Sequence, residues 1–417
     1  MKALVIGNGG REHAIIWKLK QSPLVDEIYC APGNPGIGQI AKLVDIGCNE
    51  IEKLVEFSRE IKIDIVIVGP EVPLVSGIVD IFRREGIDII GPSKKAAELE
   101  GSKGYSKAFM KKYGIPTAKY DEVNSLEAGV KVLEDYSYPV VIKADGLAAG
   151  KGVLICNDKA AAIKALEDIM VARVFGDAGK RVVIEEFLEG IETSILCFVD
   201  GKTIIPMVSS QDHKRVYDND EGPNTGGMGT YSPNFVYSDE ISSRVQREVL
   251  EPTLKGIQSE DMDYRGIIFI GLMITQQGPK VLEYNVRFGD PETQVILPRL
   301  KSDLMEIFLN ILERKLDNAV IEWSTEAAVC IVLASGGYPE DYTKGIEINI
   351  GEDIPDEVLI FHAGTALKEG RLITNGGRVL GVTALGRNVE AAREKAYANA
   401  KKIHFEGMHY RSDIGVK

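Results

Sequence analysis

The first 92 residues constrain the fold most. Short apolar runs at 3–6, 27–30, 63–68 and 87–90 alternate with amphipathic segments such as 12–21 and 51–61. Strands and helices alternating at this spacing predict βαβ units on a parallel sheet. Each run leads into turn residues: Gly7-Asn8-Gly9-Gly10, Pro32-Gly33-Asn34-Pro35-Gly36, Gly69-Pro70-Glu71 and Gly91-Pro92-Ser93. Open α/β sheets bind ligands beyond those carboxyl ends. The first turn is not a dinucleotide fingerprint, because Glu12 stands where the third glycine belongs. The second strand also leads into Ala31-Pro32-Gly33 without the expected acid. Two readings stay open for it: backbone N–H groups that hold phosphate or ribose, or a plain tight turn.

A chain of 417 residues exceeds one core. The net charge of −13 argues against general nucleic-acid or anionic-membrane binding, so anionic small substrates need local basic groups. The five cysteines are scattered and never spaced as CxxC, and the five histidines form no HExxH. They read as reduced cytosolic thiols without a disulfide frame or zinc site. The N-terminus turns polar too quickly for a signal peptide, and no apolar run reaches membrane-spanning length. A soluble cytoplasmic protein is expected.

Ser93 and Ser102 are candidate N-caps of two successive helices that end near Gly114. A strand at 139–143 then ends in Lys143, and a glycine-rich loop (144–152) leads to a strand at 153–156. Its Gly146-x-x-x-Gly150-Lys151-Gly152 is one residue short of a Walker A loop and lacks the Ser or Thr that holds Mg²⁺. A lid closing over phosphates fits better. The strand at 182–187 turns abruptly acidic. Its backbone could read an adenine edge, with Glu192 accepting from ribose hydroxyls; a charged strand end is the alternative. Asp200-Gly201 marks a hairpin. Residues 209–230 read as a long polar loop with aromatic anchors, which favours function over disorder. A helix at 239–255 and a strand at 266–275 precede the turn 276–279. The pattern restarts near Trp323, with strands at 327–334, 358–361 and 378–385 and a helix at 389–403.

Residues 281–287 alternate. Leu282, Tyr284 and Val286 would line one face, and Glu283, Asn285 and Arg287 the other. A carboxylate, an amide oxygen and a guanidinium aimed together suit hard-cation and phosphate chemistry. A solvent-facing strand with an internal ion pair is the alternative, weakened by the polar Gly289, Asp290 and Glu292 that follow.

Glu-x-Asn-x-Arg-x-Gly-Asp-Pro-Glu-Thr at 283–293 resembles the metal strand and glycine-site loop of the phosphoribosylamine–glycine ligase family, within the ATP-grasp superfamily. Three more stretches match in that family's order: Val-Ile-Gly-Asn-Gly-Gly-Arg-Glu-His at 5–13, Lys-Ala-Asp-Gly-Leu-Ala-Ala-Gly-Lys-Gly-Val at 143–153, and Gln-Asp-His-Lys-Arg with Pro-Asn-Thr-Gly-Gly-Met-Gly at 211–229. The glycine motifs are weak singly; the other two are specific. The resemblance implies an α/β and α+β multidomain fold. An N-terminal parallel-sheet domain (1–101) would precede an ATP-grasp domain (102–323, with a mobile lid at about 117–188) and a small C-terminal α/β domain (324–417). It also implies a ligase that joins glycine to 5-phospho-β-D-ribosylamine through glycyl phosphate in purine biosynthesis, consuming ATP with Mg²⁺ or Mn²⁺. A monomer with only small-molecule partners is expected.

Roles follow from the resemblance. Glu283 and Asn285 would hold the metal. Lys103, Lys143, Gly150, Lys151, Gly152, Glu185, Glu186, Phe187, Leu188 and Glu192 would bind ATP. Asn8, Gly9, Gly10, Glu12, Pro70 and Glu71 would meet the ribosylamine. Asn224, Thr225, Gly226, Gly289, Asp290 and Glu292 would help to orient the substrates. Arg287, Asp212, His213 and Lys214 would act in catalysis, with His213 either a proton acceptor or a hydrogen-bonding loop residue. The rivals are another ATP-grasp carboxylate ligase and a nucleotide-binding sensor. The Asp-His-Lys-Arg loop speaks against the first, and the retained Glu283, Asn285 and Arg287 against the second.

Overall fold

The computed structural model describes residues 1–148 and 152–416. As the sequence predicts, Lys2–Gly7, Glu27–Pro32, Ile65–Val68 and Asp88–Pro92 pair in parallel, with Lys42–Leu43 added at the far edge. The expected helix at 51–61 is Ile51–Ile61. Ser93 and Ser102 do cap two helices, accepting from the N–H groups of Ala96 and Tyr105, and the second helix stops at Gly114 in the left-handed conformation. Each such cap stabilises by about 1 kcal/mol.

The parallel sheet does not end at its own edge. Asp88–Pro92 pairs antiparallel with Tyr264–Thr275, through Pro92–Tyr264 and Gly91–Arg265. A Cβ on Gly266 would lie 3.0 Å from the Gly91 Cα, so a side chain there would press the two strands apart. Through it the sheet continues into Ile191–Val199, Ile204–Pro206 and Gly278–Asn285, nine strands in all. One hydrophobic core spans both halves, from Leu4 and Val66 through Phe109 to Ile270 and Tyr284.

Two smaller sheets have cores of their own. Tyr120–Val123, Val182–Glu186, Val140–Ala144 and Val153–Cys156 form an antiparallel sheet in that order, packed by Leu126–Val132 and Lys159–Leu166 around Val140, Ile142 and Ile184. This unit has a core separate from that of the large sheet. It is tied to the large sheet where Val281 N–H donates to the Pro116 carbonyl at 2.7 Å and Thr117 Oγ1 to the Val281 carbonyl at 2.7 Å.

The third sheet runs Gln211–Asp212, Gly229–Ser232, Ala327–Ala334, Arg378–Gly386, Leu359–His362, with Val389–Ala400 packed on it. Two of its strands come from the stretch read as a long loop, which also folds the hairpin Arg215–Tyr217/Glu221–Asn224. Those strands are short, and their buried residues include Thr230 and Ser232, so no apolar period announces them. Their hydroxyls are satisfied internally: Thr230 Oγ1 donates to the Gln211 carbonyl (2.9 Å) and Ser232 Oγ to the Ser209 carbonyl (2.6 Å). Among the described residues no helix is long and apolar enough to cross a membrane.

Candidate active site

The strand Gly278–Asn285 carries a bulge. Gly271 faces Glu283, whereas Leu272 faces Val281, leaving Leu282 as the extra residue. The apolar face is therefore Val281, Tyr284 and Val286, all buried, and Leu282 is only half-buried. This corrects the simple alternation. The Leu282 carbonyl is freed to accept from Lys143 Nζ at 3.4 Å. Beyond the bulge the polar side chains gather as predicted: Arg287 Nη2 donates to Asn285 Oδ1 at 3.0 Å. Burial opposes the charge of Glu283, but Lys214, Lys143, Lys103 and Arg287 outweigh it and hold its carboxyl below the usual range. Glu283 is thus an ionised, half-buried carboxylate inside a ring of cations.

A second cluster faces that strand from the small antiparallel sheet and the helix Lys103–Tyr113. Glu185, 2% exposed, lies between Lys143 and Lys107, each at 2.9 Å. Burial, partly offset by Glu185, pushes the Lys107 ammonium down to about 8. Lys103 Nζ donates to the Gly146 carbonyl at 3.0 Å, and burial lowers its pKa despite Glu283. Glu186 Oε1 accepts from Lys119 N–H at 2.9 Å, Phe187 is partly exposed, and Leu188 is buried. Gly152 lies at the start of the next strand, its carbonyl accepting from Ala144 N–H at 2.9 Å. Gly150 and Lys151 lie outside the described residues.

Residues 212–214 split between two faces. Lys214 Nζ pairs with Glu192 at 3.0 Å, and Glu192, then Glu283 and Asp212, raise its pKa against the cost of burial. Burial, with Glu292 nearby, pushes the Asp212 carboxyl well up. Asp212 Oδ1 is buried without a hydrogen-bond partner among the described residues. Burial raises Glu292 too, and Ser194 Oγ lies 3.4 Å from its Oε1. His213 is different. Its charged neighbours are Arg411 and Asp413 of the C-terminal segment and Asp220 of the hairpin turn, and burial followed by Arg411 takes its pKa down to about 4. The structure brings Asp212 and Lys214 to the site and turns His213 away from it.

The loop at 224–227 is held beside them. Thr225 N–H and Oγ1 both donate to the Lys214 carbonyl (2.7 and 2.8 Å), and Tyr338 accepts from Gly226 N–H at 2.9 Å. Arg378, from the C-terminal sheet, donates to the carbonyls of Gly226 (2.5 Å) and Asp290 (2.8 Å) and pairs with the Asp290 carboxylate at 3.3 Å. Burial opposes the Asp290 charge, but Arg378 and then Arg11 keep its carboxyl low. The Gly289 carbonyl accepts from Thr293 Oγ1 at 2.5 Å, which shapes the turn.

The N-terminal sheet reaches the same place. Asn8 is exposed at the end of its strand, and its carbonyl accepts from Asn34 Nδ2 at 2.9 Å. Glu12 is buried: it accepts from Gly9 N–H and Arg11 Nε, each at 2.6 Å, and fills the space that a Cβ on Gly7 or Gly69 would take. Its carboxylate braces the turn. Gly9 lies against the site, since a Cβ there would come within 3.3 Å of Asp290. Pro70 starts the helix Glu71–Ser76, and Glu71 pairs with Arg287 Nε at 3.3 Å.

Four site residues escaped the sequence reading: Arg11, Glu100, Lys107 and Arg378. Arg11 lies inside the 5–13 motif beside Glu12, to which it donates, and it reaches the Phe288 carbonyl. Glu100 and Lys107 lie on helices of ordinary composition, and Arg378 lies in the third unit. Glu100 accepts from Val286 N–H at 2.7 Å and pairs with Arg287 Nη2 at 3.0 Å; burial, despite Arg287, raises its carboxyl to about 7. Among the described residues no three His, Cys, Asp or Glu side chains form a metal cluster. Glu283 and Asn285 do fit a hard divalent cation that takes its remaining oxygens from phosphate.

Family models cover nearly the whole chain. The phosphoribosylglycinamide synthetase N domain matches residues 1–100, its ATP-grasp (A) domain 101–293 and its C domain 328–417. Phosphoribosylamine–glycine ligases of Caldanaerobacter subterraneus and Clostridium acetobutylicum are 52% and 50% identical to it, over 100% of this chain and 100% and 99% of theirs. The crystal structure of the Thermotoga maritima phosphoribosylamine–glycine ligase superposes with a TM-score of 0.86 at 38% identity, covering 99% of this chain and all of that one. A biotin carboxylase domain from Hydrogenobacter thermophilus, 16% identical over 98% of this chain and 91% of its own, shares the fold with a TM-score of 0.77. With all three domain models in order and full-length relatives half identical to it, the chain belongs to the phosphoribosylamine–glycine ligase family of ATP-grasp enzymes.

Proposed function

We propose that the chain joins glycine to 5-phospho-β-D-ribosylamine, giving glycinamide ribonucleotide, ADP and phosphate in purine biosynthesis. The observation that carries this reading is the convergence of Glu283, Asn285 and Arg287 with Lys103, Lys143 and Lys214 beside the Asp290 loop. A carboxylate is a poor acyl donor. Transfer of the ATP γ-phosphoryl group to a glycine carboxylate oxygen releases ADP and forms glycyl phosphate. The ribosylamine nitrogen then attacks the acyl carbon, phosphate leaves with that oxygen, and the amine proton passes to solvent.

In this reading Lys103, Lys143 and Lys151 neutralise ATP phosphates, while Gly150 and Gly152 let the lid (about 117–188) close on them. Glu185, Glu186, Phe187, Leu188 and Glu192 surround the adenosine. A divalent ion, Mg²⁺ or Mn²⁺, would be held by Glu283 and Asn285, and when bound it screens phosphate charge. Arg287 faces the transferring phosphoryl group, where one preorganised donor is worth on the order of 10²–10³ in rate. Asp212, Glu292 and Asp290, with Lys214, Gly289 and the loop of Asn224, Thr225 and Gly226, orient glycine. Asn8, Gly9, Gly10, Pro70 and Glu71 meet the ribosylamine, and Glu12 braces their turn. His213, neutral and facing Arg411, holds its loop and does not take the amine proton. The reading includes a cytoplasmic setting and a single chain as the working unit.

The test is ADP release with ATP, Mg²⁺ and glycine, with and without phosphoribosylamine generated in situ from ribose 5-phosphate and ammonia. ADP formation that requires both glycine and the ribosylamine supports the reading. Equal release with another carboxylate in place of glycine would move the substrate, and release without the ribosylamine would remove the acceptor.

A further inference from the structure

Arg287 is held on several sides. Its Nη2 meets both Asn285 Oδ1 and Glu100 Oε1 at 3.0 Å, its Nε faces Glu71 at 3.3 Å, and its Nη1 donates to the Phe288 carbonyl at 3.1 Å. Asn285 and Phe288 lie on its own strand and the turn after it. Glu71 is partly open to solvent, with a quarter of its side chain exposed, and belongs to a short helix. Glu100 is the buried partner from another element, and it has a second bond: its Oε2 accepts from Val286 N–H at 2.7 Å. Val286 lies between Asn285 and Arg287, just past the last paired residue of the strand, where no ladder partner serves its N–H. One carboxylate therefore fixes both the backbone that points the guanidinium and the guanidinium itself.

The placement is costly for stability alone. Glu100 is in the last turn of Lys94–Gly101, at the negative end of the helix dipole, and only 9% exposed. A buried acid in so unfavourable a place, beside a candidate phosphoryl-binding arginine, calls for a function. Resting on the role given to Arg287 above, we propose that Glu100 is a positioning residue for phosphoryl transfer, fixing the direction of Arg287 by gripping its guanidinium and the Val286 N–H together.

Glutamine is the informative replacement. Both carboxylate oxygens accept, whereas an amide offers one acceptor and an NH₂ that must face one of the two donors. Glu100→Gln is expected to lower kcat by about tenfold to a hundredfold, with the KM values for ATP and glycine within about threefold of wild type. The decisive readout is a double-mutant cycle with Arg287→Ala. If Glu100 acts through Arg287, adding Glu100→Gln to Arg287→Ala changes kcat by less than about twofold. Multiplying losses would overturn the inference, as would wild-type kcat in Glu100→Gln alone. Wild-type kcat in Arg287→Ala would instead overturn the role of Arg287, and that of Glu100 with it. Should Glu100→Gln not yield folded protein, Glu100→Asp keeps the charge, shortens the reach by one methylene, and is expected to show the same non-multiplicative cycle.

Discussion

Replacing Glu185 by Gln tests the buried charges behind the proposed nucleotide site. Glu185, Lys107 and Lys143 have side chains 2%, 2% and 9% exposed, and the carboxylate meets both ammonium groups at 2.9 Å. Removing one member of a buried pair costs about 3–5 kcal/mol. The structure sets a ceiling on the Lys107 part. A stranded ammonium in that place loses its proton, and with the folded Lys107 pKa at about 8 that release at pH 7 costs about 1 kcal/mol, one unit at roughly 1.36 kcal/mol. The sign with pH follows. Below pH 8 the wild-type Lys107, whose folded pKa is about 8, is charged folded and unfolded and adds no slope. In the variant it is neutral when folded and charged when unfolded, so the unfolded chain binds one more proton and variant stability rises with pH. The Lys107 part of the gap between wild type and Glu185→Gln is therefore about 2 kcal/mol at pH 6.5 and falls below about 1 kcal/mol at pH 8. Urea unfolding followed by circular dichroism from pH 6.5 to 8, without nucleotide, measures it. A gap that does not narrow between pH 6.5 and 8 would refute the argument.

Three other outcomes are expected. Glu283→Gln keeps the fold but lowers kcat on the order of 10²–10³ and weakens the dependence on divalent ion; an unchanged rate across a Mg²⁺ titration would refute its role. Arg378→Ala frees Asp290 and the Gly226 loop, so the KM for glycine rises at least tenfold while that for ATP changes little; steady-state kinetics decide, and equal rises would place Arg378 outside the glycine site. His13 Nδ1 accepts from His362 N–H at 2.9 Å, and burial followed by His362 holds the His13 pKa down to about 3. Its contribution is present above pH 6.5 and is lost as pH falls toward 3, at about 1.4 kcal/mol per unit. His13→Asn, which keeps an acceptor that cannot be protonated in this range, should flatten the loss of thermal stability between pH 7 and 4.5, and equal slopes would count against it.

Much of this fold is legible from residue order. Periodicity and turn chemistry are local, so the parallel strands, the Ser93 and Ser102 caps and the strand at 327–334 follow directly from sequence. Joins between units are not local. Nothing in the apolar pattern marks Gly91 against Gly266, or sends Thr230 and Ser232 into the C-terminal sheet, because glycine and small hydroxyl residues pack without an apolar period. The bulge at Leu282 exchanged Val281 for Leu282 in the core, since a one-residue slip is invisible to a period-two pattern. In the site, residues that carry a motif are readable. Glu100, Lys107 and Arg378 are not, because each acts across more than 75 positions of sequence from an unremarkable helix or strand.

Oxygen tracing tests the central claim most directly. Glycine labelled with ¹⁸O in its carboxylate, turned over with ATP and phosphoribosylamine, should deliver one labelled oxygen to each inorganic phosphate released, because the acyl oxygen leaves on phosphorus. Phosphate mass spectra without label, while glycinamide ribonucleotide accumulates, would contradict activation of glycine as its acyl phosphate.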